Sequence, residues 1–162
     1  NKWYLERQLN YFKNKVRGQH PEDTYGQQMA AMAALLPDKK AIKDVSAYLA
    51  SIEPKPTDMI ITTDKRGKWL YRNCAFCHGD NAEGNFAMNA PKLAGQESWY
   101  LKRQILNYQK GIRGRHKNDQ YGSQMIMMAK TITNDSDIDI LINYIKMLEL
   151  QPSDGQTTVG SE

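Results

Sequence analysis

The sequence predicts an all-α chain, on three observations. Apolar residues recur at three- and four-residue spacing in its clearest segments, no segment alternates over a convincing strand length, and a long stretch of the chain occurs twice. The repeat organises the rest. Trp3-Tyr4-Leu5 returns as Trp99-Tyr100-Leu101, and the offset of 96 holds without a gap to Glu53 and Glu149. Identical pairs in that register include Arg7/Arg103, Gln8/Gln104, Arg17/Arg113, Gly18/Gly114, His20/His116, Tyr25/Tyr121, Met29/Met125, Met32/Met128, Ile42/Ile138 and Tyr48/Tyr144. The copies are unequal, because residues 64–96 lead into the second and nothing precedes the first. The expected organisation is therefore the back half of a module at 1–53, a stiff proline-bearing linker at 54–63, a complete module at 64–150 and a polar tail at 151–162.

The elements follow in order. Thr63-Asp64 supplies an N-cap for a helix from Lys65 to Asn73, a second helix runs from about Ser98 to Gln109, and a third from about Asp135 to Leu148. In the third, Ile138, Leu141, Ile142, Ile145 and Leu148 form an apolar stripe that another element must cover. The first copy repeats the stripe with Ile42, Val45, Leu49 and Ile52, without the leading helix that would cover it. Left exposed it would be a sticky patch, so residues 1–53 are expected to dock, on a neighbouring copy in a homodimer or swapped assembly or on the complete module.

Composition narrows the function. With 162 residues, 40% hydrophobic and 25% charged, the chain can bury a core, and no apolar run approaches the roughly 18 residues of a membrane span. The residues at the start carry no signal-peptide stretch. Twenty-two basic against 18 acidic residues leave only +4, which is weak support for nucleic-acid binding. Two cysteines are too few for a disulfide framework.

Both cysteines stand in Cys74-Ala75-Phe76-Cys77-His78, a C-x-x-C-H sequence, the signature of covalent haem attachment. On one helical turn residues three apart share a side, so Cys74 and Cys77 can bond one porphyrin edge while His78 is directed beneath the ring. The alternatives are two ordinary buried cysteines, a dithiol redox pair or half a zinc site. A zinc site wants four ligands and the chain has no second C-x-x-C, while a thioredoxin-like pair belongs in a βαβ pattern that is missing here.

The run Gly67-Lys68-Trp69-Leu70-Tyr71, the C-x-x-C-H motif with Gly79, then Gly84-Asn85, Ala90-Pro91-Lys92-Leu93-Ala94-Gly95-Gln96 and a Met before a final amphipathic helix resembles a bacterial class I cytochrome c. The repeat resembles the tandem dihaem branch, the cytochromes c(4), with the first haem-attachment half missing. The resemblance implies a few helices wrapped around one covalent haem c, single-electron transfer in the periplasm, and a Met ligand followed four residues later by Ala and then by the capping turn of the last helix. Met125, ahead of Ala129 and Thr133-Asn134, fits that pattern, with Met128 as runner-up and Met29 as a competitor from the first copy. His116 is a further candidate, set against a surface role in its polar loop. For His78, the resemblance implies the Pro91 carbonyl as partner of its second ring nitrogen. Trp99, Tyr100 and Arg103 either line the haem edge and reach a propionate or pack between helices.

Positive charge gathers at Lys102, Arg103, Lys110, Arg113, Arg115 and Lys117, either a solvated face or one that steers an acidic redox partner. The expected function is that of an electron carrier between a donor complex and a terminal oxidase or reductase, rather than an enzyme. The alternatives are a sensor or haem enzyme subunit whose sixth position binds a small molecule, or the cytochrome portion of an oxidase.

Overall fold

A computed structural model describes residues 1–53 and 64–148. The linker expected at 54–63 and the tail expected at 151–162 lie outside these residues. Seven helices are found among them: α1 (Lys2–Lys13), α2 (Thr24–Ala34), α3 (Lys39–Ser51), α4 (Lys65–His78), α5 (Ser98–Gln109), α6 (Gln120–Ala129) and α7 (Asp135–Leu148). The helices predicted at 98–109 and 135–148 form as expected. The one predicted at 65–73 runs five residues further and takes in the whole C-x-x-C-H motif, capped by the Asp64 carboxylate on the Arg66 amide.

Helices α2 and α6, which the periodicity did not mark, are repeat copies that start alike. Asp23 and Asp119 cap them by accepting from the Gly26 and Gly122 amides, at 3.0 and 2.9 Å. The loop ahead of each cap turns at Gly18 or Gly114, both with φ in the left-handed region, and a Cβ on Gly114 would stand 2.5 Å from the Gly122 carbonyl. Glycine is thus required at this turn on two grounds, which accounts for its presence in both copies.

Each half has its own core. Leu9, Phe12, Ala33 and Ile42 form the first, and Tyr71, Leu101, Ile138, Leu141, Ile142, Ile145 and Leu148 build the larger second one. In the second, α4 crosses α7 where Gly67 meets Tyr144, so closely that a Cβ on Gly67 would lie 2.7 Å from the Tyr144 Cβ. The Tyr71 and Tyr144 rings pack beside that crossing, 5.6 Å apart.

The halves dock on each other within the chain, one of the two covers expected for residues 1–53, and they do so reciprocally. Arg7 lies over the Tyr121 ring and Arg103 over the Tyr25 ring, a pair of contacts exchanged by the repeat offset. Arg17 donates to the side-chain carbonyls of Gln8 and Gln104, at 2.7 and 3.0 Å, and Arg113 donates to the same two oxygens, at 3.0 and 2.5 Å. Such exchange is the mark of a two-fold interface. Here it is made between the copies inside one polypeptide.

Candidate functional site

The C-x-x-C-H motif ends α4 at the wall of a cavity of about 860 Å³, a size suited to a cofactor. Cys74, Cys77 and His78 all line it, as one helical turn allows. Both thiols are free, and burial pushes Cys74 up to about 11, with Cys77 adding to the effect. Cys74 is thus a protonated thiol in an apolar wall rather than a reactive thiolate.

His78 is buried, and its Nδ1 stands 2.7 Å from the Pro91 carbonyl oxygen. Desolvation lowers its pKa, partly offset by the Pro91 bond, so the ring is neutral. A carbonyl can only accept, so Nδ1 carries the proton and Nε2 keeps its lone pair, the form in which imidazole binds a metal. The chain then turns at Gly79, with φ 84°, where the Tyr71 hydroxyl donates to the Gly79 carbonyl at 2.7 Å.

Other walls come from α5, α6 and α7, and from α1 and the end of α3, where Tyr4, Arg7, Leu49 and Ile52 line the cavity. Leu101, Ile105, Leu141 and Ile145 supply apolar surface, Tyr100 lies among them, and α6 brings both Met125 and Met128 to the cavity. Met127, on the opposite side of α6, is exposed. Met29 is 41% exposed and does not line the cavity. His116 is exposed, its Nδ1 accepting from the Asn118 amide, and it too stands away from the cavity.

Two predicted site residues are not brought to the cavity. Trp99 is 58% exposed, and Arg103 stacks on it and on Tyr25 instead of pointing inward. Their place is taken by Arg113, a member of the basic run expected to be a solvated or partner-steering face: only 6% exposed, it lines the cavity together with Tyr4, Gln8 and Gln104. The signal that could have found it is the Arg17/Arg113 identity, a cation kept in both copies beside a kept Gln8/Gln104 pair. The basic run as a whole is no single face. Lys102 pairs with Asp139 at 2.6 Å, Arg103 is stacked and Arg113 is interior.

The polar corner of the cavity has a positive field. Burial pushes the Tyr4 phenol up, but the guanidiniums of Arg113, Arg17 and Arg7 outweigh it and hold the group below its ordinary value. Among the described residues no carboxylate pairs with Arg17 or Arg113, and the Nε atoms of both are buried without a partner. Buried cations are normally paired, so this corner calls for an anion. A haem fits these residues: two thiols for its vinyl groups, a neutral imidazole and thioethers for its iron, apolar walls for its ring and guanidiniums for its carboxylates.

Comparison with known proteins agrees. The cytochrome c family matches residues 65–149. Cytochromes c4 of Azotobacter vinelandii and Stutzerimonas stutzeri are 29% and 30% identical over 158 residues, which cover 90% of this chain and 72% of theirs. The reduced recombinant cytochrome c4 from Pseudomonas stutzeri superposes with a TM-score of 0.71 at 26% identity, over 90% of this chain and 80% of that one. With helices, haem-attachment motif and both repeat copies accounted for, the chain belongs to the cytochrome c family and is an electron-transfer protein related to the cytochromes c4.

Proposed function

We propose that the chain carries single electrons through one haem c, attached at Cys74 and Cys77 and held between His78 and Met125, between a redox donor and an acceptor in the periplasm. The observation that carries this reading is the His78 ring, buried, neutral and fixed by Pro91 so that its free nitrogen lies in the cavity wall beside both thiols. When bound, the haem supplies a one-electron couple. The chain's own residues do the rest. His78 presents a lone pair of fixed direction, and Met125 offers a thioether from α6, a ligand type that raises the potential relative to a second imidazole. The packed side chains of α5 and α7 keep water from the apolar walls, while Arg113 and Tyr100 stand where haem carboxylates or a haem edge would need donors. The two cysteines of these 162 residues, both in one motif, support one haem on this stretch of chain.

Pyridine haemochrome measured per mole of chain should give one covalent haem. Met125→Ala should abolish the methionine–iron band at the red end of the oxidised spectrum and open the protein to carbon monoxide, while Met128→Ala should leave both unchanged. The opposite pattern would move the ligand to Met128, and carbon monoxide binding by the unaltered protein would replace the carrier by a ligand-binding haem protein.

A further inference from the structure

The segment that holds His78 is gripped from the other half of the molecule. Pro91 supplies the Nδ1 acceptor, and the residues on either side of it are bonded to the start of α1. Arg7 donates from Nη1 to the Asn89 side-chain oxygen at 3.0 Å and from Nη2 to the Asn89 carbonyl at 2.9 Å. On the far side, the Lys92 amide donates to the Asn1 side-chain oxygen at 2.8 Å. Trp3 packs edge-on against Phe86, with the rings 5.5 Å apart. Asn89 itself has φ 54°, a left-handed conformation that asparagine adopts more readily than most residues with a side chain. Arg7 is in turn fixed against the rings of Trp3, Tyr4 and Tyr121, and its Nε is buried.

The geometry points to Arg7 as a positioning residue for the haem ligand: through Asn89 it sets the place of the Pro91 carbonyl, and so the strength of the His78 hydrogen bond and the reduction potential. The half of the chain without a haem motif thereby tunes the half that has one. The direction follows from the chemistry. An imidazole that donates a firm hydrogen bond from Nδ1 is a more basic ligand and favours the ferric state; a loosened acceptor makes it a poorer donor and the potential rises. This inference rests on the proposed His78 ligation.

The test uses the full-length holoprotein. Because loss of a positive charge lining the cavity would by itself lower the potential, a rise is expected in the variants that keep that charge, Arg7→Lys and Asn89→Gly; Arg7→Met, which keeps the side-chain stem and removes the planar fork, is read by proton exchange. In the ferrous state Arg7→Met should speed exchange of the His78 Nδ1 proton, followed by NMR of 15N-labelled histidine, about fivefold, the factor that one net hydrogen bond represents. In that exchange Arg7→Lys should fall between this variant and the unaltered protein, because an ammonium reaches one acceptor but lacks the fork. Asn89→Gly keeps the left-handed backbone and the carbonyl, deletes the side-chain acceptor, and should raise the potential, with a smaller gain in exchange than Arg7→Met, which supports the brace even if Arg7→Met does not fold. Tyr25→Ala removes the ring under Arg103 and touches nothing in 86–92, so both readouts should stay in place. Unchanged potential in Arg7→Lys and Asn89→Gly, with unchanged proton exchange in Arg7→Met, overturns the inference. So does an equal shift in Tyr25→Ala, because docking of the halves in general would then set the value. Failure of the underlying reading shows up separately, as absent covalent haem or absent histidine ligation in the unaltered protein.

Discussion

Helices α3 and α7 are copies in register, and they end up in different surroundings. Their first stripe residues are equally buried, Ile42 at 2% exposure and Ile138 at 1%. One turn from the end the copies part, with Leu49 at 43% against Ile145 at 2%, and Ile52 at 52% against Leu148 at 3%. The difference lies in the neighbour. Residues of α4, among them Tyr71 and Leu70, close over α7, and among the described residues no helix stands in that relation to α3. The same apolar period thus defines which side of a helix is available for burial, while the burial itself is decided by another element. The apolar residues Met29, Met32, Leu35 and Tyr48 extend the exposed face of the first half.

The comparison can be broken outright by removing what only the second half has. Replacing both Cys74 and Cys77 with Ser should leave no covalent haem in a haemochrome assay. Thermal unfolding should then lose the stabilisation that a tightly held ligand gives the folded state. A sharper probe is the matched pair Ile145→Ala and Leu49→Ala, equivalent in the repeat. The first deletes a fully buried side chain and should cost about 2–5 kcal/mol in urea unfolding of the holoprotein. The second removes a side chain already nearly half exposed and should cost about 1 kcal/mol or less. Equal costs would mean that Leu49, which also lines the cavity, is covered in the holoprotein by the bound haem or by another chain.

The smallest expected effect concerns charge. Arg66 grips the two carboxylate oxygens of Asp137, at 2.6 and 2.7 Å, a tie between α4 and α7 whose repeat counterpart on α3 is Ala41. The hydrogen bond from Arg66 holds the Asp137 carboxyl below its ordinary value. A group depressed in the folded state stabilises above its ordinary pKa and loses that contribution as the pH falls through the folded value. Asp137→Asn should therefore lower the unfolding midpoint slightly at neutral pH and flatten its fall below about pH 4, so that the two proteins converge in acid. An unaltered acid limb would remove the pair from the account.

Much of this was legible in the sequence, and the reasons differ by element. Apolar stripes marked α3 and α7, α5 was expected over 98–109, and Asp64 marked the start of α4. Helix α6 was not marked because Tyr121-Gly122-Ser123-Gln124 opens it with weak helix formers, and its Met-rich remainder looks like core filler; only the Asp119 cap announces it. The cavity was legible at Cys74, Cys77, His78, Pro91, Tyr100 and Met125, because motif and resemblance fix local spacing. Arg113 was not, because its place depends on Tyr4 and Gln8 from the other copy, contacts that no local pattern encodes. Trp99 and Arg103 share one exposed helix face with Tyr25 above them, which spacing alone does not separate from a cavity-facing position.

The crossing of Gly67 with Tyr144 has a consequence for the order of assembly. These residues sit near the two ends of the second half, so the contact is among the most distant in its chain, and loop-closure entropy opposes it until the intervening helices are compact. Until α7 docks, Cys74, Cys77, His78 and Met125 face a cavity that lacks the wall of Leu141 and Ile145. Folding of this half is thus expected to finish at its last helix, when Tyr144 packs over the bare backbone of Gly67 and the cavity gains its last wall.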